Sequence, residues 1–188
     1  SRIFCAYIDE GMAMLAEGVA PALIENAARQ AGFATGPLAV TDEVSLDLQL
    51  RVVQQAQADG LDARFLRLHA QEVIARMNTL GRLGRKSAGG FHDFPQDGPK
   101  RLWPGLATLY PVQAEQPAVE EVQQRLLLVQ ALESARCVEE GVIVNHPDAD
   151  LGAVLGLGYP SWTGGTLSYI DPLGLPEFLP RCAALVLD

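Results

Sequence analysis

Residues 2–19 of the chain are RIFCAYIDEGMAMLAEGV, and a related segment, RLLLVQALESARCVEEGV, recurs at residues 125–142. The two share five identities at a constant offset of 123, which pair Arg2, Glu10, Glu17, Gly18 and Val19 with Arg125, Glu133, Glu140, Gly141 and Val142. Apolar residues recur at helical spacing before each Gly, which indicates a half-buried helix that ends there. The sequence therefore contains an internal repeat that begins with a long helix.

The correspondence continues beyond this first helix, with short insertions. It includes Gly32-Phe33 with Gly158-Tyr159, and then Gly36, Leu38 and Asp42 with Gly165, Leu167 and Asp171. The buried stripe of the helix is also repeated, with Phe4, Ile8, Leu15 and Val19 opposite Leu127, Ala131, Val138 and Val142. Because each repeat has an apolar face too large to leave exposed, we expect the two to pack on one another about a pseudo-two-fold axis.

Helical periodicity extends over most of the chain, and strand-like alternation is almost absent. Start and stop signals at Pro and Gly predict a helix ending at Gly18 and further helices over Pro21–Ala31, Pro37–Ala58, His69–Leu80, Val119–Gly141, Asp148–Leu155, Gly165–Ile170 and Leu175–Leu185. The expected fold class is all-α, with two tandem helical repeats packed as a pseudo-two-fold pair. The expected domains are a first repeat at residues 1–94, a linker at 95–118 and a second repeat at 119–188.

The composition is that of a folded protein with an acidic surface. Hydrophobic residues make up 48% of the chain and the net charge is −9, which argues against binding to nucleic acid or to an anionic membrane. Eight of the 14 Lys and Arg residues nevertheless lie between Arg64 and Arg101. This basic group, which could meet a phosphate or form a solvated linker, includes Arg82, Arg85, Lys86, Lys100 and Arg101.

Neither a membrane span nor a disulfide framework is predicted. No apolar run approaches the roughly 20 residues needed to cross a bilayer, and Cys5, Cys137 and Cys182 are an odd number and widely spaced. We therefore expect a cytoplasmic protein. The first residue already falls inside a helical pattern, from which we expect the chain to be a piece of a longer protein.

The motifs of the sequence predict no catalytic, cofactor-binding or metal-binding residue in this chain. Gly156-Leu157-Gly158 would need a third Gly where Ser161 stands, and it follows a helix where the dinucleotide fingerprint requires a strand. His69, His92 and His146 are far apart and have no second ligand type at helical or hairpin spacing. No G-x-S-x-G supports hydrolase chemistry.

The carboxylates at repeated positions have two interpretations. Asp42 and Asp171 could form an acid–base pair, or each could complement the positive end of a helix near its start, which is the commoner role. Glu10 and Glu133, on the first helix of each repeat, are expected to make inter-helix hydrogen bonds.

The ordered set of motifs resembles the C-terminal domain of the L-3-hydroxyacyl-CoA dehydrogenases. In the first repeat the motifs are Ser1-Arg2-Ile3, Glu17-Gly18-Val19, Gly32-Phe33, Gly36-Pro37-Leu38, Asp42 and the segment GRKSAGGFHDF at residues 84–94. The second repeat resembles the second copy in multifunctional β-oxidation proteins through Glu140-Gly141, Gly158-Tyr159-Pro160, Gly165 and Asp171. The resemblance spans nearly the whole chain, and it implies a fold like the C-terminal domain of 6-phosphogluconate dehydrogenase.

In that family an N-terminal domain holds NAD and a catalytic His–Glu pair, while the helical domain closes over the 3-hydroxyacyl group. The resemblance implies a parent enzyme of fatty-acid β-oxidation, fused to an enoyl-CoA hydratase, and a piece that alone holds no cofactor and is inactive. It implies one substrate-binding residue, Ser1, in the place of an Asn that reaches the substrate carbonyl. The implied partners are 3-hydroxyacyl-CoA, the N-terminal nucleotide-binding domain and a thiolase subunit.

Two alternatives stay open at this point. The repeat could be a non-catalytic helical module that assembles a multienzyme complex. It could also belong to another two-domain dehydrogenase, for example one acting on sugar acids, although the Glu-Gly-Val and GFHDF motifs argue against this. Monofunctional members of the family pair their helical domains as homodimers, so the tandem repeat implies that pairing within one chain and a monomer.

Overall fold

The computed structural model describes residues 1–185, and in it the chain forms two compact units. Unit 1 contains residues 1–7 and 26–36 together with the described residues from 117 onward, and unit 2 contains residues 8–25 and 37–116. Unit 1 therefore contains segments of both predicted repeats. The last three residues of the predicted second repeat lie outside the described residues.

The prediction of an all-α fold is confirmed. The helices before residue 117 are α1 Arg2–Glu17, α2 Pro21–Ala31, α3 Pro37–Val44, α4 Leu46–Ala58, α5 Leu68–Thr79 and the short α6 Leu106–Leu109. Those after it are α7 Val119–Glu139, α8 His146–Leu157, α9 Thr166–Ile170 and α10 Leu175–Ala184. The strands found in residues 1–185 are β1 His92–Asp93 and β2 Arg101–Leu102, which pair antiparallel.

Glycines end equivalent helices of the two repeats. Gly18 follows α1 with a φ of 91°, and Gly141 follows α7 with a φ of 71°. Gly32 and Gly158, which follow α2 and α8, also have positive φ. Because a side chain is strained in this conformation, Gly is the residue that allows a helix to stop there, as the sequence predicted.

The predicted helix over Pro37–Ala58 is wrong in one respect, because it breaks at Ser45. The φ of Ser45 is 76°, which is outside the helical region. The N–H of Leu46 then donates to the carbonyl of Leu83 at 2.9 Å instead of continuing the helix. A hydrogen bond to a distant segment therefore ends α3 and starts α4.

Each unit has its own apolar core. The fully buried side chains of unit 2 come from helices α1 to α5 and the segment before β1, and include Ile8, Met12, Leu15, Ile24, Leu38, Leu46, Ile74, Met77 and Phe91. In unit 1 a cluster joins α7 to the helices after it and includes Leu128, Ala131, Ala149, Leu167, Ile170, Phe178 and Cys182.

The predicted buried stripe of the second repeat is wrong at its last position. Val142 is 64% exposed, whereas its equivalent Val19 is buried. The N–H groups of Val142 and Ile143 both donate to the carbonyl of Cys137. This turn brings the side chain of Ile143 against the core of unit 1 in place of Val142.

Equivalent aromatic residues of the two repeats meet inside unit 1. The ring of Phe33 contacts that of Tyr159 edge to face, with centroids 5.6 Å apart, and stacks on Tyr7 at 4.7 Å. The N–H of Ala34 also donates to the carbonyl of Gly158 at 3.2 Å. Residues related by a two-fold axis contact each other in this way where they lie close to it.

Candidate functional site

The motif residue Asp42 lies at the centre of a set of buried polar contacts. Its carboxylate is 1% exposed and accepts hydrogen bonds from the N–H of Phe91 at 2.8 Å and from the N–H of His92 at 2.9 Å. Nδ1 of His92, also buried, lies 2.9 Å from the same carboxylate. We call Asp42 and residues 84–94 the Asp42 clasp.

Glycines allow residues 84–94 to approach the carboxylate of Asp42. A side chain at Gly90 would overlap the Oδ1 atom of Asp42, and one at Gly84 would overlap its backbone carbonyl. Gly84 also has a φ of 112° and exchanges two backbone hydrogen bonds with Gly89. The Gly-rich sequence of this segment therefore serves close packing against α3, and no phosphate is needed to explain it.

The basic residues near the clasp are paired within the protein. The guanidinium of Arg82 donates to the carbonyl of Gly90 at 2.8 Å and to Asp93 at 2.6 Å, and it stacks 4.0 Å from the ring centroid of Trp103. Arg85 pairs with Glu43, a contact that lowers the pKa of that carboxyl. Ion pairing therefore accounts for much of the positive charge that the sequence concentrates here.

Two more basic residues of this group, Lys86 and Arg101, also lie close to carboxylates. Lys86 pairs with Asp47, and this hydrogen bond is the main cause that holds the pKa of the Asp47 carboxyl well below its usual range. The guanidinium of Arg101 lies 3.8 Å from Asp93. These pairs favour a structural role over phosphate binding.

Sequence reasoning missed a carboxylate that caps α3 from α2. Oε1 of the buried Glu25 accepts hydrogen bonds from the N–H of Leu38 at 2.8 Å and from that of Ala39 at 3.4 Å. Burial raises the pKa of Glu25, while the two N–H donors oppose the shift. Free N–H groups at a helix start favour such an anionic partner.

The second repeat contains an equivalent carboxylate cap. Oδ1 of Asp150 on α8 accepts hydrogen bonds from the N–H of Leu167 at 2.8 Å and from that of Ser168 at 3.3 Å, at the start of α9. Gly165 has a φ of 132°, and a side chain there would overlap Asp150. In the second repeat this cap therefore requires a Gly at position 165. A carboxylate seven or eight residues before the Gly that ends the second helix was the available sequence signal.

The two repeated aspartates have different surroundings, and the structure corrects the helix-start prediction. Asp42 is the sixth residue of α3 and belongs to unit 2, whereas the exposed Asp171 follows the end of α9 in unit 1. Neither therefore caps a helix start. The acid–base interpretation also loses its support, because the carboxylate of Asp42 is committed to the donors of Phe91 and His92.

The start of α1 carries the predicted substrate residue and an ion-pair network. Ser1 is exposed, and its carbonyl accepts a hydrogen bond from the N–H of Cys5 at 2.9 Å. Arg2 pairs with Glu133 and with Glu140, both at 2.6 Å, and the hydrogen bond to Glu140 is the main cause that raises the pKa of Arg2. The expected inter-helix hydrogen bond of Glu133 is thus confirmed.

The other motif residues have local structural roles. Gly11 and Gly18 lie against neighbouring chain, so that a side chain at Gly11 would press into the ring of Pro37. Gly36 is buried just before α3 and Pro37 is buried as its first residue, whereas Glu17 is exposed at the end of α1. These positions explain why the motif combines small residues with a Pro at the first position of a helix.

No metal-binding group emerges from the described part of the chain. Within residues 1–185, His, Cys, Asp and Glu side chains nowhere assemble in threes in a way that could hold a metal ion. Over the same residues, every helix is too short or too polar to cross a membrane.

Comparison with known proteins gives a family and two related folds. Residues 1–94 match the family described as 3-hydroxyacyl-CoA dehydrogenase, C-terminal domain. The fold is similar to 3-hydroxybutyryl-CoA dehydrogenase from Escherichia coli, with a TM-score of 0.70, 21% identity and coverage of 98% of this chain and 54% of that one. It is also similar to the dehydrogenase part of multifunctional enzyme 1 from C. elegans, with a TM-score of 0.65, 25% identity and coverage of 85% and 36%.

The family match contains both halves of the Asp42 clasp and the Glu25 cap. The chain spans about half the length of the bacterial enzyme and about a third of the nematode one, as the coverages of 54% and 36% show. The chain belongs to the 3-hydroxyacyl-CoA dehydrogenase C-terminal domain family.

Proposed function

We propose that this chain is the substrate-covering helical part of an NAD-dependent L-3-hydroxyacyl-CoA dehydrogenase of fatty-acid β-oxidation. The observation that carries the proposal is the family match over residues 1–94, which contains the whole Asp42 clasp. Two dehydrogenase structures share the fold, and each is longer than this chain. The remainder of such an enzyme would supply the nucleotide-binding domain.

Residues 1–185 do not fit an NAD site. A dinucleotide site needs a strand, a Gly-rich turn and a helix in succession. The strands within residues 1–185 are two residues long, and Gly156-Leu157-Gly158 forms the end of α8. In this proposal NAD and the proton-transfer residues therefore belong to the upstream domain, and this chain contributes shape and substrate contacts.

Within this proposal Ser1 binds the substrate carbonyl. Its exposed position just before α1 leaves the hydroxyl accessible, and α1 is tied to α7 through Arg2 and Glu133. A hydroxyl donates one hydrogen bond over a shorter reach than the Asn amide of the family.

The organisation proposed for the parent follows the repeat. Residues 1–94 and 119–188 are the two units of a dimer-like pair joined by a linker at 95–118, in a cytoplasmic multifunctional protein that also carries an enoyl-CoA hydratase and assembles with a thiolase. The contact between Phe33 and Tyr159 supports pairing within one chain.

The proposal is tested by NADH oxidation with a 3-ketoacyl-CoA, measured for this chain, for the nucleotide-binding domain of the same gene, and for their mixture. We expect turnover in the mixture only. Ser1→Ala should lower kcat/KM about tenfold, the size expected for one lost hydrogen bond of about 1.4 kcal/mol. Ser161→Ala, at an exposed Ser of the second repeat, is the control and should leave the rate unchanged.

A second candidate is a non-catalytic module for assembly of a multienzyme complex. Unit 1 favours it through large exposed apolar side chains, among them Val144 at 91% and Leu155 at 76%. Tight association of the two pieces without turnover would support this module and count against the substrate-covering role.

A further inference from the structure

Three buried polar atoms of unit 1 have no hydrogen-bond partner within residues 1–185. They are Oε1 of Gln130, Oγ of Ser134 and Oγ1 of Thr166. Each of these residues is at most 1% exposed. Buried hydroxyl and amide oxygens are nearly always hydrogen bonded in folded proteins, so each of the three requires a partner.

The three residues lie on two helices that pack together. Gln130 and Ser134 are four residues apart on α7, so their side chains share one face of the helix. Thr166 is the first residue of α9, which packs against α7. We place Oγ of Ser134 and Oγ1 of Thr166 in this helix contact. The amide of Gln130 lies one turn earlier on α7, where its Nε2 donates to the carbonyl of Ile3 at 3.1 Å and leaves Oε1 as the unpaired acceptor.

The first repeat has apolar residues at the equivalent contact. Gly11 and Pro37 are the equivalents of Ser134 and Thr166, at the same offsets of 123 and 129 that align the surrounding motifs. A side chain at Gly11 would lie 2.5 Å from Cβ of Pro37, so α1 and α3 touch there through apolar atoms alone.

The position equivalent to Gln130 also differs. It is Tyr7, whose hydroxyl donates to the carbonyl of Thr35 at 2.7 Å. The second repeat thus replaces Tyr, Gly and Pro by Gln, Ser and Thr.

The hydroxyl of Ser134 does not use the local partner that a helix offers. A buried Ser or Thr within a helix commonly donates to the carbonyl four residues earlier. Thr41 does so, to the carbonyl of Pro37 at 2.7 Å. Oγ of Ser134 has no such bond, so both its proton and its lone pairs remain available to a bound molecule.

We propose that the contact between α7 and α9 is a binding site for internal water, held by Ser134, Thr166 and Gln130. Water fits this set because it donates as well as accepts. It can donate to Oε1 of Gln130, which only accepts, and can bond either way with the two hydroxyls. Three protein partners are also the usual number for a buried water.

A high-resolution crystal structure of the full-length natural protein is the direct test. We expect density for water within hydrogen-bond distance of Ser134 and Thr166, and oxygen-17 relaxation dispersion should detect its long residence in solution. Thr166→Val should abolish both signals, whereas Thr41→Val, at a buried Thr with its own partner, should keep them. Hydroxyls bonded to each other or to backbone carbonyls, with no water between them, would overturn the proposal.

A double-mutant comparison adds an independent measure. Because Ser134→Ala and Thr166→Val remove partners of the same water, the urea midpoint of the double variant should shift by less than the sum of the single shifts. The pair Ser134→Ala and Thr41→Val should be additive. Additive shifts in the first pair would rule out a shared water. If a variant does not fold, the structure of the natural protein decides.

Discussion

The environment of Asp42 differs from that of its repeat equivalent, Asp171. Its buried carboxylate accepts hydrogen bonds from the N–H groups of Phe91 and His92 and lies 2.9 Å from Nδ1 of His92. Asp171, in contrast, is exposed. Asp42→Asn places an NH2 group against some of these donors, so we expect the free energy of unfolding to fall by about 3 kcal/mol, the scale for a charged hydrogen-bond acceptor lost from a buried site. Urea unfolding of the chain measures this change.

Asp171→Asn is the matched control for that change. The substitution is the same, but the side chain is exposed, so the expected effect is within about 0.5 kcal/mol. Equal losses of unfolding free energy for the two variants would show that the hydrogen bonds of the Asp42 clasp add no stability over an exposed Asp.

Ser45 is held in a conformation that favours glycine. With a φ of 76° it carries a side chain where a Cβ is strained. Ser45→Gly should therefore make the chain more stable than Ser45→Ala by about 1 kcal/mol, and the comparison of the two variants removes the effect of losing the hydroxyl. Thermal unfolding followed by circular dichroism measures the difference. An Ala variant at least as stable as the Gly variant would show that the break between α3 and α4 is unstrained.

At the scale of elements, the buried cap from Glu25 predicts a pH dependence. Burial raises the pKa of Glu25 above its ordinary 4.5, so the unfolded chain ionises at lower pH than the folded one. As the pH rises from 4.5 through the raised value, ionisation therefore costs stability, and above that value the loss is constant. Below pH 4.5 the protonated group carries no such cost.

Glu25→Gln removes this titration while it keeps an oxygen for the N–H of Leu38. The stability of the natural chain relative to the variant should thus fall across the window and then level off. Unfolding free energies at a series of pH values provide the comparison. A difference that does not change with pH would mean that Glu25 ionises equally in the folded and unfolded chain.

The helices were largely predictable because their ends depend on local residues. Gly18, Gly32 and Gly60 have positive φ, and Pro21 and Pro37 stand at first helical positions, as their backbone preferences require. The break at Ser45 was not predictable in this way. It depends on the hydrogen bond from Leu46 to Leu83, a residue far along the chain.

The candidate site was predictable in its residues but not in its contacts. Asp42 stood out as a repeated polar residue within an apolar helix, and the Gly-rich segment at 84–94 stood out by composition. Their contact joins positions 49 and 50 residues apart, which no local pattern encodes. The caps from Glu25 and Asp150 were missed for the same reason, since each reaches a helix that starts after an intervening loop.

At the scale of the whole molecule, the repeat in the sequence and the compact units of the structure divide the chain differently. Residues 1–7 and 26–36 belong to the first repeat in sequence, but they pack in unit 1 with residues after 117. Phe33 shows why, because its ring lies between those of Tyr7 and Tyr159. The core of unit 1 thus depends on both repeats.

A piece limited to residues 1–94 should therefore be less stable than the whole chain. It keeps Tyr7 and Phe33 but loses Tyr159 and the helices α7 to α10. The face of Phe33 that contacts Tyr159 is then exposed. Exposing one large buried aromatic side chain costs about 3 kcal/mol or more. We expect a lower urea midpoint and binding of a dye specific for apolar surfaces, and both changes should be reversed when residues 95–188, which also restore β2 and α6, are added as a separate chain. An isolated piece that unfolds at the same urea concentration as the whole chain would show instead that the first repeat is stable by itself.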